Sequence, residues 1–203
     1  MATNRSQPKK IGQYTVLARL GEGAASTLYA VQNPKDKQVS ALKYVEKTDE
    51  KSQRFLDQVE QEYAIGSKLN HTSLRKIKKL VKHRKLLKVT AVSMLMELVD
   101  ATTLDQKLPR SHIQAVDIFL QIAEGLSHMH GRGFVHADMK PNNVLVDESG
   151  KVKIIDLGQA CAIGTIKKRI QGTPGYMAPE VILGQGYGKG SDWFSLGCVL
   201  YDM

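Results

Sequence analysis

The octapeptide His136-Ala137-Asp138-Met139-Lys140-Pro141-Asn142-Asn143 constrains this chain more than any other stretch. Its His-x-Asp-x-Lys-x-x-Asn spacing is highly specific. A hairpin follows at once. Residues 144–146 and 152–155 are short apolar runs on either side of the turn Asp147-Glu148-Ser149-Gly150. Asp156-Leu157-Gly158 comes next, thirteen residues after Asn143. Alone, Asp-Leu-Gly is a common turn. Behind a hairpin, at that distance from an Asp and an Asn, it is not ordinary.

The rest of the chain changes character midway. Residues 14–31 read as strand, glycine-rich turn and strand, with Gly21-Glu22-Gly23-Ala24-Ala25-Ser26 at the turn. Glycines there let backbone N–H groups approach phosphate oxygens, although a plain β-hairpin turn has the same look. Val39, Ala41, Lys43 and Val45 alternate onto one strand face, which puts a lysine among apolar neighbours. Residues 52–69 read as a helix, with Phe55, Val59, Ile65 and Leu69 at helical spacing. Glu62 lies seven residues from both Phe55 and Leu69, so it falls on the buried stripe, and Glu60 does not. Two inward charges of opposite sign on adjacent elements call for each other. Strands are expected again over 74–98, and a second helix over 111–130 with Ala115, Phe119, Ile122, Leu126 and Met129 on one side. Glycine-rich loops run to Gly190, and a last helix starts near Ser191 or Asp192. The expected organisation is a mobile tail over 1–10 and two lobes, about 11–98 and about 99–203, with a cleft between them.

Composition narrows the class. With 42% hydrophobic and 24% charged residues the chain reads as an ordinary soluble globular protein. No run of about 18 apolar residues occurs, so no membrane span is expected, and the basic start shows no secretory signal. Cys161 and Cys198 form no CxxC pair and read as free thiols of a reducing cytoplasm. The net charge is +9, and residues 75–88 hold eight Lys or Arg in fourteen positions. Such a block can mark nucleic-acid or membrane contact. With no aromatic interleaved to stack bases, it reads as a solvated hairpin whose Ile77, Leu80, Val81, Leu86 and Leu87 face inward.

To these motifs the chain adds Gly172-Thr173-Pro174-Gly175-Tyr176-Met177-Ala178-Pro179-Glu180 and Asp192-Trp193-Phe194-Ser195-Leu196-Gly197. The ordered set resembles the eukaryotic-type protein kinase family from Tyr14 to the end of the sequence. Lys140 and Thr173 resemble the serine/threonine branch; the glycine loop with Ser26 is similar to that of simple bacterial serine/threonine kinases and of divergent eukaryotic ones. The resemblance implies an α+β, bilobal fold with a small β-rich N-lobe and a helical C-lobe. It implies transfer of the γ-phosphate of ATP, with Mg2+, to serine or threonine hydroxyls of a protein substrate. Gly21 and Gly23 would cover the phosphates. Lys43 would bind the α- and β-phosphates and be held by Glu62. Asn143 and Asp156 would be the metal ligands. Asp138 would accept the hydroxyl proton, and Lys140 would offset charge on the transferred group. Leu20, Leu28, Ala41 and Leu145 would sandwich the adenine, Glu97 and Val99 would meet its edge, and Met96 would guard the back of the pocket. His136 and Asp192 would brace the catalytic loop, and Thr173 would touch it. No nucleic-acid partner is implied.

The chain also departs from the pattern. Ala137 stands where an arginine usually lies between the His and the Asp; in many kinases that arginine pairs with a phosphorylated activation segment, which alanine cannot do. Leu157 replaces a phenylalanine at similar volume. The sequence ends on Leu200-Tyr201-Asp202-Met203, inside the expected helix, so the C-lobe is expected to lack its last helices, including the arginine that usually meets Glu180. That shortness raises a second reading, a pseudokinase or nucleotide-binding scaffold with little activity. A small-molecule phosphotransferase fits less well with Lys140, Thr173 and Ala178-Pro179-Glu180. A nucleic-acid-binding module on residues 75–88 is the remaining alternative.

Overall fold

The structure, a computed structural model, describes residues 8–23, 25–49 and 52–203. The chain divides into two compact units. The first takes residues up to Tyr63 together with Ile77–Leu98; the second takes Ala64–Lys76 and Val99–Met203. Of the tail expected over 1–10, residues 1–7 lie outside the described residues. Lys10 and Ile11 form the short strand β1.

The first unit is built on a six-stranded antiparallel sheet. Its strands are β1, β2 (Tyr14–Glu22), β3 (Thr27–Gln32), β4 (Val39–Glu46), β5 (Ile77–Lys85) and β6 (Lys88–Met96), in spatial order β1-β2-β3-β4-β6-β5. Helix α1 (Gln53–Gly66) is inserted between β4 and β5. One sheet face carries a cluster of Ile11, Tyr14, Tyr29, Val31 and Leu42, with Leu95 packed on it. Ala41 and Val45 on the other face of β4 are also buried, so the strand is covered on both sides. The simple alternation read from the sequence saw only one of these faces. Val39, expected on the covered side, is 38% exposed because it lies at the strand's start.

The basic stretch departs from expectation at its tip. Ile77 is buried, and Leu80 and Val81 are half-buried. Leu86 and Leu87, however, stand 93% and 94% exposed. They are the two central residues of the β5–β6 turn, beyond the last rung Lys85↔Lys88, so they project past the end of the ladder.

In the second unit, helix α2 (His112–Gly131) supplies the core. Ser111 caps it by accepting the Gln114 N–H at 3.2 Å. Ala115, Ile118, Ile122, Leu126 and Met129 form its buried stripe. Phe119, placed on that stripe by the sequence reading, is half-buried, and Ile118 takes the inner position. At Gly125 a Cβ would come within 2.9 Å of the Ile154 side chain, so glycine lets the helix approach the strand behind it. After β7 (Thr102–Thr103) and β8 (Phe134–Val135), β9 (Val144–Val146) and β10 (Val152–Ile154) make the expected hairpin. The two-residue strand β11 (Cys161–Ala162) pairs with β8, and the helices α3 (Pro179–Ile182) and α4 (Lys189–Asp202) follow. No helix among the described residues is long and apolar enough to cross a membrane.

Candidate active site

In the first unit the strand register sets the chemistry. Leu28 lies opposite Lys43, and Lys43 opposite Met94; one step along, Ala30 faces Ala41 and Ala41 faces Met96. Directly opposed residues share a face. Leu28, Ala41, Lys43 and Met96 therefore stand on one side of the sheet. On that side Lys43 Nζ donates to Glu62 Oε2 at 2.7 Å, and Glu62 is only 3% exposed. Glu60, two residues earlier, points outward to Lys82 at 2.6 Å. A buried carboxylate without a cation would be costly, so the pair fixes α1 on the sheet as it fixes the ammonium. Leu20 is 47% exposed, and Glu97 is half-buried just after β6.

Gly21 pairs with Leu28 at the end of the β2–β3 ladder, and Arg19 and Glu22 form an ion pair along β2. The Gly23 N–H donates to the Ser26 carbonyl at 2.7 Å, which closes the turn. A Cβ on Gly23 would sit 2.9 Å from Ser26 Oγ. The serine in place of the third glycine thus occupies the space that a side chain at Gly23 would need. Ala24 lies outside the described residues.

In the second unit, Asp192 has no exposed surface. Its Oδ2 accepts the His136 N–H and its Oδ1 the Ala137 N–H, both at 2.9 Å. His130 Nε2 adds a contact of 2.8 Å, and its ring meets Trp193 edge-on. Ala137 has φ 64°, a left-handed turn that aims two successive amides at one carboxylate. His136 is fully buried; its Nε2 donates to the Ile155 carbonyl, and its Nδ1 accepts from the Asp138 N–H, each at 3.3 Å. A carbonyl can only accept and an amide N–H can only donate, so the ring is held as one neutral tautomer.

This bracing sets Asp138 among three side-chain partners. Thr173 Oγ1 donates to Asp138 Oδ1 at 2.8 Å and accepts from Lys140 Nζ at 2.8 Å. Lys140 Nζ lies 3.4 Å from Asp138 Oδ2. Asn143 Nδ2 donates to the Asp138 carbonyl at 2.7 Å and approaches Oδ2 at 3.4 Å. Oδ1 is thus tightly held, and Oδ2 has only longer contacts. Because the Asn143 amino group is turned to Asp138, its side-chain oxygen faces away. Asp156 follows β10 with φ 62°, and its Oδ1 accepts the Gly158 N–H at 3.3 Å. The Ile155 N–H donates to the Asn143 carbonyl, which links the two metal-ligand candidates through backbone. Among the described residues no three His, Cys, Asp or Glu gather as a metal cluster. An amide oxygen and one carboxylate are nevertheless a donor set that suits magnesium, which keeps waters and phosphate oxygens in its shell. Leu145, on β9, is buried at 7% exposure, and Val99 is half-buried; both belong to this unit.

One part of the site was not read from the sequence. Lys167 Nζ donates to the Gln159 carbonyl at 2.7 Å and lies 4.5 Å over the Tyr187 ring. Burial pulls its pKa below the ordinary lysine value, with the Cys161 thiol and Asp138 opposing. Tyr187 in turn donates its hydroxyl to the Gln171 carbonyl and accepts the Gln171 N–H. Nothing in the spacing of residues 159–171 marked Lys167, whose partners lie before and after it in sequence. Glu180, for which the resemblance implied an arginine partner, accepts at its Oε1 from Ser191 at 2.8 Å. Ala137 packs against the apolar cluster of Val135, Cys161, Ala178, Val181 and Tyr187. Both cysteines are free thiols, and burial raises the pKa of Cys161.

Comparison with known proteins gives a consistent result. The family described as "Protein kinase domain" matches residues 14–203. CBL-interacting serine/threonine-protein kinase 8 of Arabidopsis thaliana is 30% identical over 201 residues, 95% of this chain and 44% of that protein. Serine/threonine-protein kinase 36 of Pongo abelii is 32% identical over 194 residues, 94% of this chain and 14% of that protein. Serine/threonine-protein kinase TIO of Arabidopsis thaliana is 31% identical over 196 residues, 95% and 15% respectively. The chain therefore spans less than half the length of these relatives.

Proposed function

Because the chain belongs to the protein kinase domain family, matched from residue 14 to residue 203, we propose that it transfers the γ-phosphoryl group of ATP to serine or threonine hydroxyls of a protein. The observation that carries this reading is the Asp138–Thr173–Lys140 arrangement, in which one hydroxyl bridges a carboxylate and an ammonium at 2.8 Å each. It supports the serine/threonine branch because both bridging partners of Asp138 come from positions that mark that branch.

The roles follow from chemistry. Asp138 Oδ2, with the looser contacts, accepts the proton of the attacking hydroxyl while Thr173 holds Oδ1. Lys140 offsets the negative charge on the group in transit. Lys43, set by Glu62, holds the α- and β-phosphates. The N–H of Gly23 is engaged by Ser26, so that glycine serves by leaving room above the phosphates. The resemblance assigns Leu20, Leu28, Ala41 and Leu145 to the faces of the adenine, Met96 to its back, and the backbones of Glu97 and Val99 to its edge. Asn143 and Asp156 are the residues that would hold magnesium. That ion, when bound, neutralises charge on the phosphate oxygens. The two free thiols support a cytoplasmic setting.

The test is transfer of γ-labelled phosphate to a generic serine- and threonine-containing protein, with Asp138→Ala as control. Label on serine or threonine in the wild type, lost in the variant, is expected. Label that persists in Asp138→Ala would overturn the assignment of Asp138.

A further inference from the structure

The tip of the β5–β6 hairpin breaks three local rules within four residues. Leu86 has φ 56°, a left-handed conformation that a bulky residue rarely adopts and that glycine or asparagine fills in two-residue hairpin turns. Leu86 and Leu87 together project two almost fully exposed apolar side chains, at 93% and 94%. Lys85 and Lys88 oppose each other on the last rung, a like-charge pair that repels. Rules broken together with no compensation inside the fold mark functional places.

The surroundings say what would compensate them. From Ile77 to Met96 the chain holds no Asp or Glu and no Phe, Tyr or Trp. Lys79, Arg84, Lys85 and Lys88 are exposed. Lys82 is paired with Glu60 and Lys78 hydrogen-bonds the neutral Ser40, while Arg84, Lys85 and Lys88 stand together on the last rungs before the tip. Two leucines ahead of a basic collar match one kind of surface: an apolar layer under a sheet of negative headgroups. The leucines enter the acyl boundary, and the lysines relieve their mutual repulsion against the headgroups. A nucleic acid would use the cations but leave both leucines in water, with no ring to stack a base.

We propose that the β5–β6 tip is a membrane-docking wedge for anionic bilayers, with Leu86 and Leu87 inserted and Lys85, Lys88 and Arg84 at the headgroups. This is independent of the phosphotransfer reading. It places the protein on a membrane surface through a hairpin tip rather than a spanning helix.

The experiment is flotation of the full chain with phosphatidylcholine vesicles containing phosphatidylserine, and with phosphatidylcholine vesicles alone. The variant Leu86→Gly with Leu87→Asn puts glycine at the one left-handed position of this turn and keeps every charge, so folding is preserved and only the wedge is removed. The wild type should float with the anionic vesicles and not with the neutral ones. The turn variant should bind about tenfold or more weakly. Lys85→Gln with Lys88→Gln should bind more weakly by roughly an order of magnitude. No flotation of the wild type would overturn the proposal. So would equal binding by the turn variant, since the net charge of +9 alone would then account for adsorption. Retention of an RNA oligonucleotide by a chain that ignores the vesicles would overturn it too.

Discussion

Thr173 holds two charges of opposite sign through one oxygen, donating to Asp138 and accepting from Lys140. A hydroxyl is the only side-chain group small enough for the gap that can do both. Thr173→Ala should therefore lower the rate of transfer by about tenfold to a hundredfold, the usual scale for removing a hydrogen bond to charged groups. Thr173→Ser should restore most of it, and the Michaelis constant for ATP should barely move, since Thr173 is not among the residues assigned to the nucleotide. A Thr173→Ala enzyme as fast as the wild type would show the bridge to be incidental. At this scale the sequence was informative where a residue's environment is encoded by period or motif. Glu62 was placed inside by its helical spacing, and it is buried on Lys43. Lys167 could not be found this way, because its burial comes from Tyr187 and Gln159, set by the path of a loop.

Among elements, the stretch 159–171 is strapped by its own chain. Thr165 and Tyr187 bridge through backbone, Tyr187 clasps Gln171, and Lys167 lies on the Tyr187 ring. Ala137, where an arginine would await a phosphate, sits instead against apolar neighbours. These contacts predict that phosphatase treatment leaves transfer activity unchanged; a large loss would mean that a phosphate on Thr165 or Thr173 is read by some other cation. They also predict that Tyr187→Phe, which removes both bonds to Gln171, speeds tryptic cleavage at Lys167, Lys168 or Arg169 several-fold. An unchanged cleavage rate would show that the backbone bridge alone holds the segment. The longer strands and helices α1 and α2 were legible because their apolar periods are local. The inner position of Ile118 rather than Phe119, and the outward leucines at 86 and 87, were not. Each depends on what another element does or does not place opposite.

For the whole molecule, titration gives a check on packing. Burial lowers the pKa of His83, whose ring contacts Ser93 Oγ at 2.8 Å, and burial also lowers His128, with the charges of His71 and Arg132 adding to it. A histidine whose folded pKa lies below its unfolded value of 6.5 favours the folded state while neutral. Below that value the unfolded chain binds more protons, so stability falls as pH drops from 6.5 through the folded pKa. The urea midpoint should thus fall between about pH 7.5 and about pH 5, and the fall should be smaller in His83→Gln. Identical slopes in the two proteins would remove His83 from the account. The central claim is chemical, and one paired measurement meets it most directly: ATP affinity and phosphate transfer, each for the wild type and for Asp138→Asn. The account predicts unchanged affinity to within about twofold and a transfer rate lower by roughly a hundredfold to ten-thousandfold in the variant. A wild type that binds ATP with magnesium and transfers no more phosphate than Asp138→Asn would contradict it and make the chain a nucleotide-binding scaffold.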